Sequence, residues 1–555
     1  MTVSASDNPR HATVETGISA WLNVNVRGWR LASLAVAIVV AAPILVVVAA
    51  WFTPATDVWR HLADTVLMEL LRHTAVLTLG VGFGVLVLGT ALAWFVATCE
   101  FPGRRFFDWA LMLPLAIPVY VLAFVYIGLL DFSGPVQSWL RANLGVAGFP
   151  PIRSAGGVIA VMVLAFYPYV YMLARVAFMA HGRTTLETGR VFGLRPWRAF
   201  WHASLPMARP ALAAGVALAV MEALADFGAV AVFNYDTFTT AIYKAWQGLF
   251  SLSAAAQLSS LLLLFIAMVL LAEQRLRGNA RYDMSLRAAR EDRYRLRGWR
   301  RWGVSAMAGL VLLLAFIVPV GQLLLWVWQV AFQDFDQRYA RFFLNTLALG
   351  AAAAVVTTFF ALLLAYTYRL KPDGLTRAAV RFATLGYALP GSVLAVGIML
   401  SFVWIDNTLW QTVQQWFGVR PAPLLTGTLI ALVLAYGVRF MAVAHGPIDS
   451  TFERIKPSLW QAARSLGAGN WEILRRVSIP MLKSGLFSAG LLVFVEVMKE
   501  MPATLLLRPF GWDTLATRIF EMTAEGEWER AALPAVTLVL AGLIPVVMLV
   551  RRAAR

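Results

Sequence analysis

Two short stretches of an otherwise apolar chain carry acids at helical spacing. Met221-Glu222-Ala223-Leu224-Ala225-Asp226-Phe227-Gly228 sets Glu222 and Asp226 four residues apart, and Glu496-Val497-Met498-Lys499-Glu500-Met501-Pro502 repeats that spacing and adds Lys499. Residues four apart share a helix face. Charges inside an apolar helix are costly enough to mark an ion or substrate path. Carboxylate oxygens are the donors that hard cations prefer. Facing each other across a two-fold axis, the four acids would form an acidic constriction with Lys499 moderating its charge. No metal ligand is firmly assigned, and a transient cation contact at Glu222, Asp226, Glu496 and Glu500 is the expectation. Counted from Arg209, Glu222 lies roughly 20 Å along the helix and Asp226 roughly 6 Å further, in the outer half of a membrane. The bland reading pairs these acids with Lys499, Arg175 or Arg439 and locks helices together.

Such groups need helices to carry them, and the composition supplies little else. Of 555 residues, 60% are hydrophobic and only 14% charged, too apolar for a soluble multidomain protein. The single cysteine, Cys99, excludes an intramolecular disulfide and a cysteine-rich metal cluster. The net charge of +17 does not point to nucleic acid, because the basic residues fall in short loops between apolar runs. Crossing a bilayer takes about 20 apolar helical residues. The chain offers about twelve such runs, near 31–52, 74–98, 109–131, 155–178, 209–233, 254–272, 304–330, 343–367, 380–404, 424–444, 484–507 and 531–550. The expected class is therefore an all-α membrane protein. A polar N-terminal tail over 1–30, with no cleavage site before the first run, reads as cytoplasmic. With both termini inside, about 33 of the 47 basic residues fall on the cytoplasmic side. The arginine-rich stretch 273–303 reads as a cytoplasmic linker between a first half, 31–272, and a second, 304–555.

The halves are related. Leu113-Pro114-Leu115-Ala116-Ile117-Pro118 faces Leu385-Gly386-Tyr387-Ala388-Leu389-Pro390 at an offset of 272 residues, and Gly193, Pro206, Glu222 and Asp226 face Gly467, Pro480, Glu496 and Glu500 at 274. Two homologous six-helix halves of like orientation imply a rotation about the membrane normal and a path along it.

After the fourth helix of each half comes a cytoplasmic excursion with one grammar. The first reads Leu186-Glu187-Thr188-Gly189-Arg190-Val191-Phe192-Gly193 and ends Ser204-Leu205-Pro206, and the second reads Gln461-Ala462-Ala463-Arg464-Ser465-Leu466-Gly467 and ends Ser478-Ile479-Pro480. Small residues let a short helix pack closely on a partner, and the glycine ends it. These stretches resemble the EAA loops of binding-protein-dependent ABC importers, and the resemblance implies a type I ABC importer permease fold in which each loop contacts an ATPase subunit. The ATPase-coupling residues are then Glu187, Thr188, Gly189, Gly193, Pro206, Gln461, Ala462, Ala463, Gly467 and Pro480. Thr188-Gly189 and Gln461 depart from the family's Glu-Ala-Ala. No Gly-x-x-x-x-Gly-Lys-Ser/Thr pattern occurs, so nothing here cradles nucleotide phosphates. No catalytic residue and no cofactor are expected in this chain, and ATP with Mg belongs to two copies of a cytoplasmic ATPase.

Glu222 to Gly228, Phe233 to Trp246 and Lys499 to Phe510 look like the permeases of ferric-iron importers. That family implies a bacterial inner-membrane protein served by a periplasmic binding protein, moving ferric iron by alternating access. Thiamine, polyamine or phosphonate importers share the loop grammar. A secondary transporter with two parallel halves, or a membrane scaffold, keeps the helices without the loops' purpose.

Overall fold

The computed structural model describes residues 9–52, 56–145, 150–191, 198, 200–277, 293–334, 336–418 and 423–553, and side chains for the same residues except 9–25, 56, 181–191, 331–334, 417 and 549–553. Among them twelve helices are long and apolar enough to cross a membrane: α1 (Val26–Phe52), α2 (Leu67–Thr98), α3 (Val119–Leu144), α4 (Ala155–Ala180), α5 (Phe200–Ala225), α6 (Leu252–Arg277), α7 (Trp299–Val330), α8 (Gln337–Leu370), α9 (Gly391–Trp416), α10 (Leu429–Phe452), α11 (Asn470–Lys499) and α12 (Trp528–Met548). In hydrocarbon, helices meet the backbone's hydrogen-bonding needs internally, which is why these runs take this form. The chain is a multi-pass membrane protein of all-α class.

Most limits shift by several residues from those read in the sequence, α3 and α9 running on to Leu144 and Trp416 and α11 starting back at Asn470, and four of the shifts fall at helix breaks. The apolar runs from 109 and from 380 do not start helices there. Each makes a 3-10 turn, Leu113–Ala116 or Leu385–Ala388, before α3 starts behind Pro118 and α9 behind Pro390. Proline supplies no N–H for the preceding turn, so the helix restarts after it. The runs to 233 and to 507 also break, α5 ending at Ala225 and α11 at Lys499. A third proline effect is duplicated. Pro206 and Pro480 cannot bond the carbonyl four residues back, and the turns before them, Phe200–Ser204 and Ile473–Ser478, widen to π-helix.

The chain folds as two compact units that interleave along the sequence, so neither coincides with 31–272 or 304–555. One comprises Met1–Leu45, Leu349–Tyr387 and Val433–Val497, and the other comprises Val46–Ala348, Ala388–Leu432 and Met498–Arg555. In the larger unit α2 lies along α4, and both lie against α5. A Cβ on Gly84 would stand 2.4 Å from Val163, and one on Gly215 would stand 2.8 Å from the Val170 backbone, so only hydrogen fits at these crossings. Leu258, Leu262 and Ile266 of α6 share a core with Val393 and Val396 of α9. The first helix of the second sequence half, α7, packs on α3 of the first: Tyr126 donates to the Leu314 carbonyl, and Trp326 stacks on Phe124 at 6.2 Å.

The smaller unit shows the reciprocal exchange. Here α1, first helix of the first half, packs by Trp29 on α8 and on the start of α11, and Arg30 pairs with Asp373 just past α8. Phe494 lies against Gly350, and Thr451 against Gly485.

Candidate functional site

The second excursion forms an elbow. Pro457–Ser465 is a short helix opened by proline at its first position, where no N–H is needed. It ends in a left-handed turn at Gly467 (φ +83°). The Ala468 N–H donates to the Ala463 carbonyl at 3.1 Å and the Gly467 N–H to the Arg464 carbonyl at 2.9 Å, the paired bonds of a Schellman stop. Gln461 and Ala462 are exposed and Ala463 half-buried, while Leu459 and Leu466 are exposed at 43% and 89%. The helix turn thus leaves two leucines and an alanine on its outer side while Trp460 points inward against Tyr366 and Phe452. Pro480 is exposed two residues past the π-turn.

The first excursion is different in backbone. The helix containing α4 continues to Val191, so Glu187, Thr188 and Gly189 lie on it without a break. Their side chains, and Gly193 altogether, lie outside the described residues. Pro206 is half-buried as the second residue after the π-turn.

The acids are placed by two helix breaks. Asp226 does not share a helical face with Glu222, because α5 stops at Ala225 and Asp226 is extended (ψ 129°). A short helix, Gly228–Val232, comes next, and Asp226 Oδ1 accepts the Ala229 N–H at 2.7 Å. The Thr239 hydroxyl donates to the Asp226 carbonyl at 2.8 Å. Glu500 repeats the device before Pro502–Leu507: its carboxylate accepts the Ala503 and Thr504 N–H groups at 3.0 Å each, and the Thr504 hydroxyl lies 2.8 Å from Oε2. Free N–H groups at a helix start attract anionic acceptors. The expectation of two i, i+4 pairs is thus corrected: Glu222 and Glu496 are half-buried on α5 and α11, Lys499 closes α11, and Asp226 and Glu500 cap the short helices Gly228–Val232 and Pro502–Leu507. Both short helices lead to a threonine capping box, Thr237 with Thr240 and Thr514 with Thr517.

Within the larger unit the two breaks meet around Tyr120, near the start of α3. Its hydroxyl donates to the Lys499 carbonyl at 3.4 Å. A Cβ on Gly228 would stand 2.4 Å from Met501 Cε and 2.7 Å from Tyr120 Cβ. Phe227 packs on Phe520 at 5.3 Å between ring centres, and Tyr243 on the same ring at 6.3 Å. Tyr120, Phe227, Glu500 and Met501 are all buried. Here the side chains are packed away from solvent.

Arg175 is not a partner of these acids. It grips Asp108 through Nε and Nη2, one edge of its guanidinium, tying α4 to the short helix Arg104–Ala110, and Arg439 lies over Phe440 at 5.6 Å. Among the described residues no three His, Cys, Asp or Glu side chains gather as a ligand set. Outside the spans, Asp236 pairs with Lys244, and Arg508 bridges Asp513 and Glu521, so much of the stretches 233–246 and 499–510 serves to shape two returning loops. Burial pushes the Tyr235 phenol up, against the opposing effect of Arg72. Sequence reading missed Tyr120, Gly228 and Met501. The available signal was an acid two residues ahead of a helix-opening Gly228 or Pro502.

Residues 86–325 match the family described as binding-protein-dependent transport system inner membrane component. The Fe(3+)-transport system permease protein FbpB 2 of Haemophilus influenzae is 27% identical over 486 residues, spanning 87% of this chain and 89% of that protein. The ferric transport system permease protein FbpB of Actinobacillus pleuropneumoniae is 24% identical over 498 residues, 85% of this chain and 69% of its own. The sulfate transport system permease protein CysW of Escherichia coli is 30% identical over 178 residues, 32% of this chain and 60% of its own.

Proposed function

We propose, from the premise that the chain belongs to the family of binding-protein-dependent transport inner membrane components, that it is the fused double permease of an ATP-driven importer of ferric iron. The observation that carries the cargo is coverage. Likeness to the Haemophilus ferric permease runs through 87% of this chain and so includes both halves and both elbows, whereas likeness to the sulfate permease covers 32%.

In this reading both termini face the cytoplasm, and each elbow receives one copy of an ATPase that binds ATP and Mg. The chain itself hydrolyses nothing. A periplasmic binding protein delivers iron to the outer loops, and closure of the ATPase pair moves the elbows. The breaks at 226–228 and 499–502 part around Tyr120, opening the path outward, and hydrolysis returns them. The chain contributes a bistable element biased by partners at both ends.

Reconstitution with the ATPase and a binding protein tests this. ATP hydrolysis and uptake of labelled iron are expected to rise when the iron-loaded binding protein is added. Stimulation by a sulfate-loaded binding protein with none by the iron-loaded one would overturn the cargo.

A further inference from the structure

The start of α1 is wedged against the second elbow. Arg27-Gly28-Trp29-Arg30 precedes the apolar run, and the Trp29 ring stacks near-parallel (26°) on Trp471 at 6.1 Å and meets Tyr366 edge-on (74°) at 5.1 Å. Tyr366, fully buried at the cytoplasmic end of α8, reaches both arms of the elbow. Its hydroxyl donates to the carbonyl of Asn470, first residue of α11, and its ring packs on Trp460 of the elbow helix at 6.1 Å. Trp460 in turn meets Phe452, the last residue of α10, at 5.9 Å. Arg30 pairs with Asp373 at 2.7 Å, and the Thr367 hydroxyl lies 3.4 Å from the Trp29 carbonyl. The amide and side chain of Thr376 hold the carboxyl of Asp373 below its ordinary range, so the pair persists to lower pH than an ordinary aspartate would allow.

The arrangement is a brace with one side open. Leu459, Ala462 and Leu466 face out, and Trp460 faces in on a ring that also holds the far arm. A load on the outer face reaches α11 only if the two arms move as one, and the stack of Trp29 on Tyr366 and Trp471 spans both. Aromatic stacks suit this because large rings with few torsions resist shear.

We propose that Trp29 is a positioning residue for energy coupling: it locks the arms of the second elbow together, so that movement of a partner on the elbow's exposed face is delivered to α11. This rests on the reading of the elbow as the ATPase contact. It gives α1 a task beyond spanning the membrane, because the brace for an elbow of the second sequence half comes from the first. The chain carries a built-in control. Arg297-Gly298-Trp299-Arg300 repeats the tetrapeptide at the start of α7, yet Trp299 is 79% exposed.

The test uses the full complex in proteoliposomes, measuring iron taken up per ATP hydrolysed. Trp29→Ala is expected to leave the ATPase bound and basal hydrolysis running while that ratio falls about fivefold or more, the low end of a site-to-site coupling energy. Trp29→Phe should restore most of it, and Trp299→Ala should leave it unchanged. A wild-type ratio in Trp29→Ala, or an equal fall in Trp299→Ala, overturns the proposal. Should Trp29→Ala not assemble, Tyr366→Phe removes only the hydroxyl that holds Asn470, and the same fall or its absence decides. Leu459→Asp with Leu466→Asp separates this from the parent reading. If that pair leaves the ATPase bound, the elbow is not its contact; if it releases the ATPase while Trp29→Ala keeps the ratio, only the brace fails.

Discussion

The breaks after α5 and α11 occupy equivalent places in the duplicated chain and are held with different strength. Asp226 is half-buried, and its short side chain accepts the Ala229 N–H. Glu500 is 5% exposed, and one more methylene lets it hold two amides and lie beside a hydroxyl. The helix restarts at Gly228 in one and at Pro502 in the other. Proline has one backbone shape to lose and glycine many, so the second break is stiffer in both its cap and its first residue. Where the two meet at Tyr120, an adaptable edge lies against a rigid one. In the gate proposed above one edge must give, and on this comparison that edge is the first half's.

The largest effect should come from removing the stronger cap. Glu500→Ala leaves two buried N–H groups without acceptors, which costs on the order of 3 kcal/mol. The melting temperature of the purified protein should fall several degrees, and Glu500→Gln, which keeps one acceptor oxygen, should recover part of it. An unchanged melting temperature in Glu500→Ala would mean the second break is not held by its cap.

Next is the contact between the breaks. In Gly228→Ala the new methyl would stand 2.4 Å from Met501 Cε, and overpacking of this kind costs about 2 kcal/mol. A flexible methionine end can move away more easily than the Tyr120 Cβ at 2.7 Å. Met501→Ala added to Gly228→Ala should therefore recover only part of the loss in a double-mutant cycle. Full additivity of the two changes would place Gly228 and Met501 apart.

Asp226→Ala removes one acceptor from a half-buried site and should cost about 1 kcal/mol, clearly less than Glu500→Ala. Equal losses at the two positions would erase the asymmetry.

Much of this was legible in residues, and the rest was not for physical reasons. Apolar runs announce spans, and the twelve helices track them; Gly467 announced its left-handed turn. Trp29 and Trp326 show what an apolar run hides, since nothing in hydropathy says which neighbour a helix packs on, and the exchange of α1 and α7 between the sequence halves could not be read from it. Asp226 and Glu500 misled because a carboxylate in an apolar run looks like an interior charge four residues from another. The glycine and proline two positions later were the corrective, marking a helix start that an acid can cap. The match of Phe233 to Trp246 drew attention to cargo, whereas Asp236 with Lys244 and Thr237 with Thr240 show that stretch shaping a loop.

The smallest perturbation reads the same asymmetry without asking stability to report it. The native Cys99 is buried, and desolvation pushes its thiol up to about 11, against a weaker opposing bond from Thr98. A raised thiol pKa means that at pH 7 almost none is thiolate, the form that reacts with maleimide. The unaltered chain should label slowly, with a rate climbing about tenfold per pH unit toward that value. Against this quiet background Asp226→Cys should react faster than Glu500→Cys, since the first position is half-open and the second closed. If the order reverses, the compliant edge of the gate belongs to the second break, and the roles of the halves exchange.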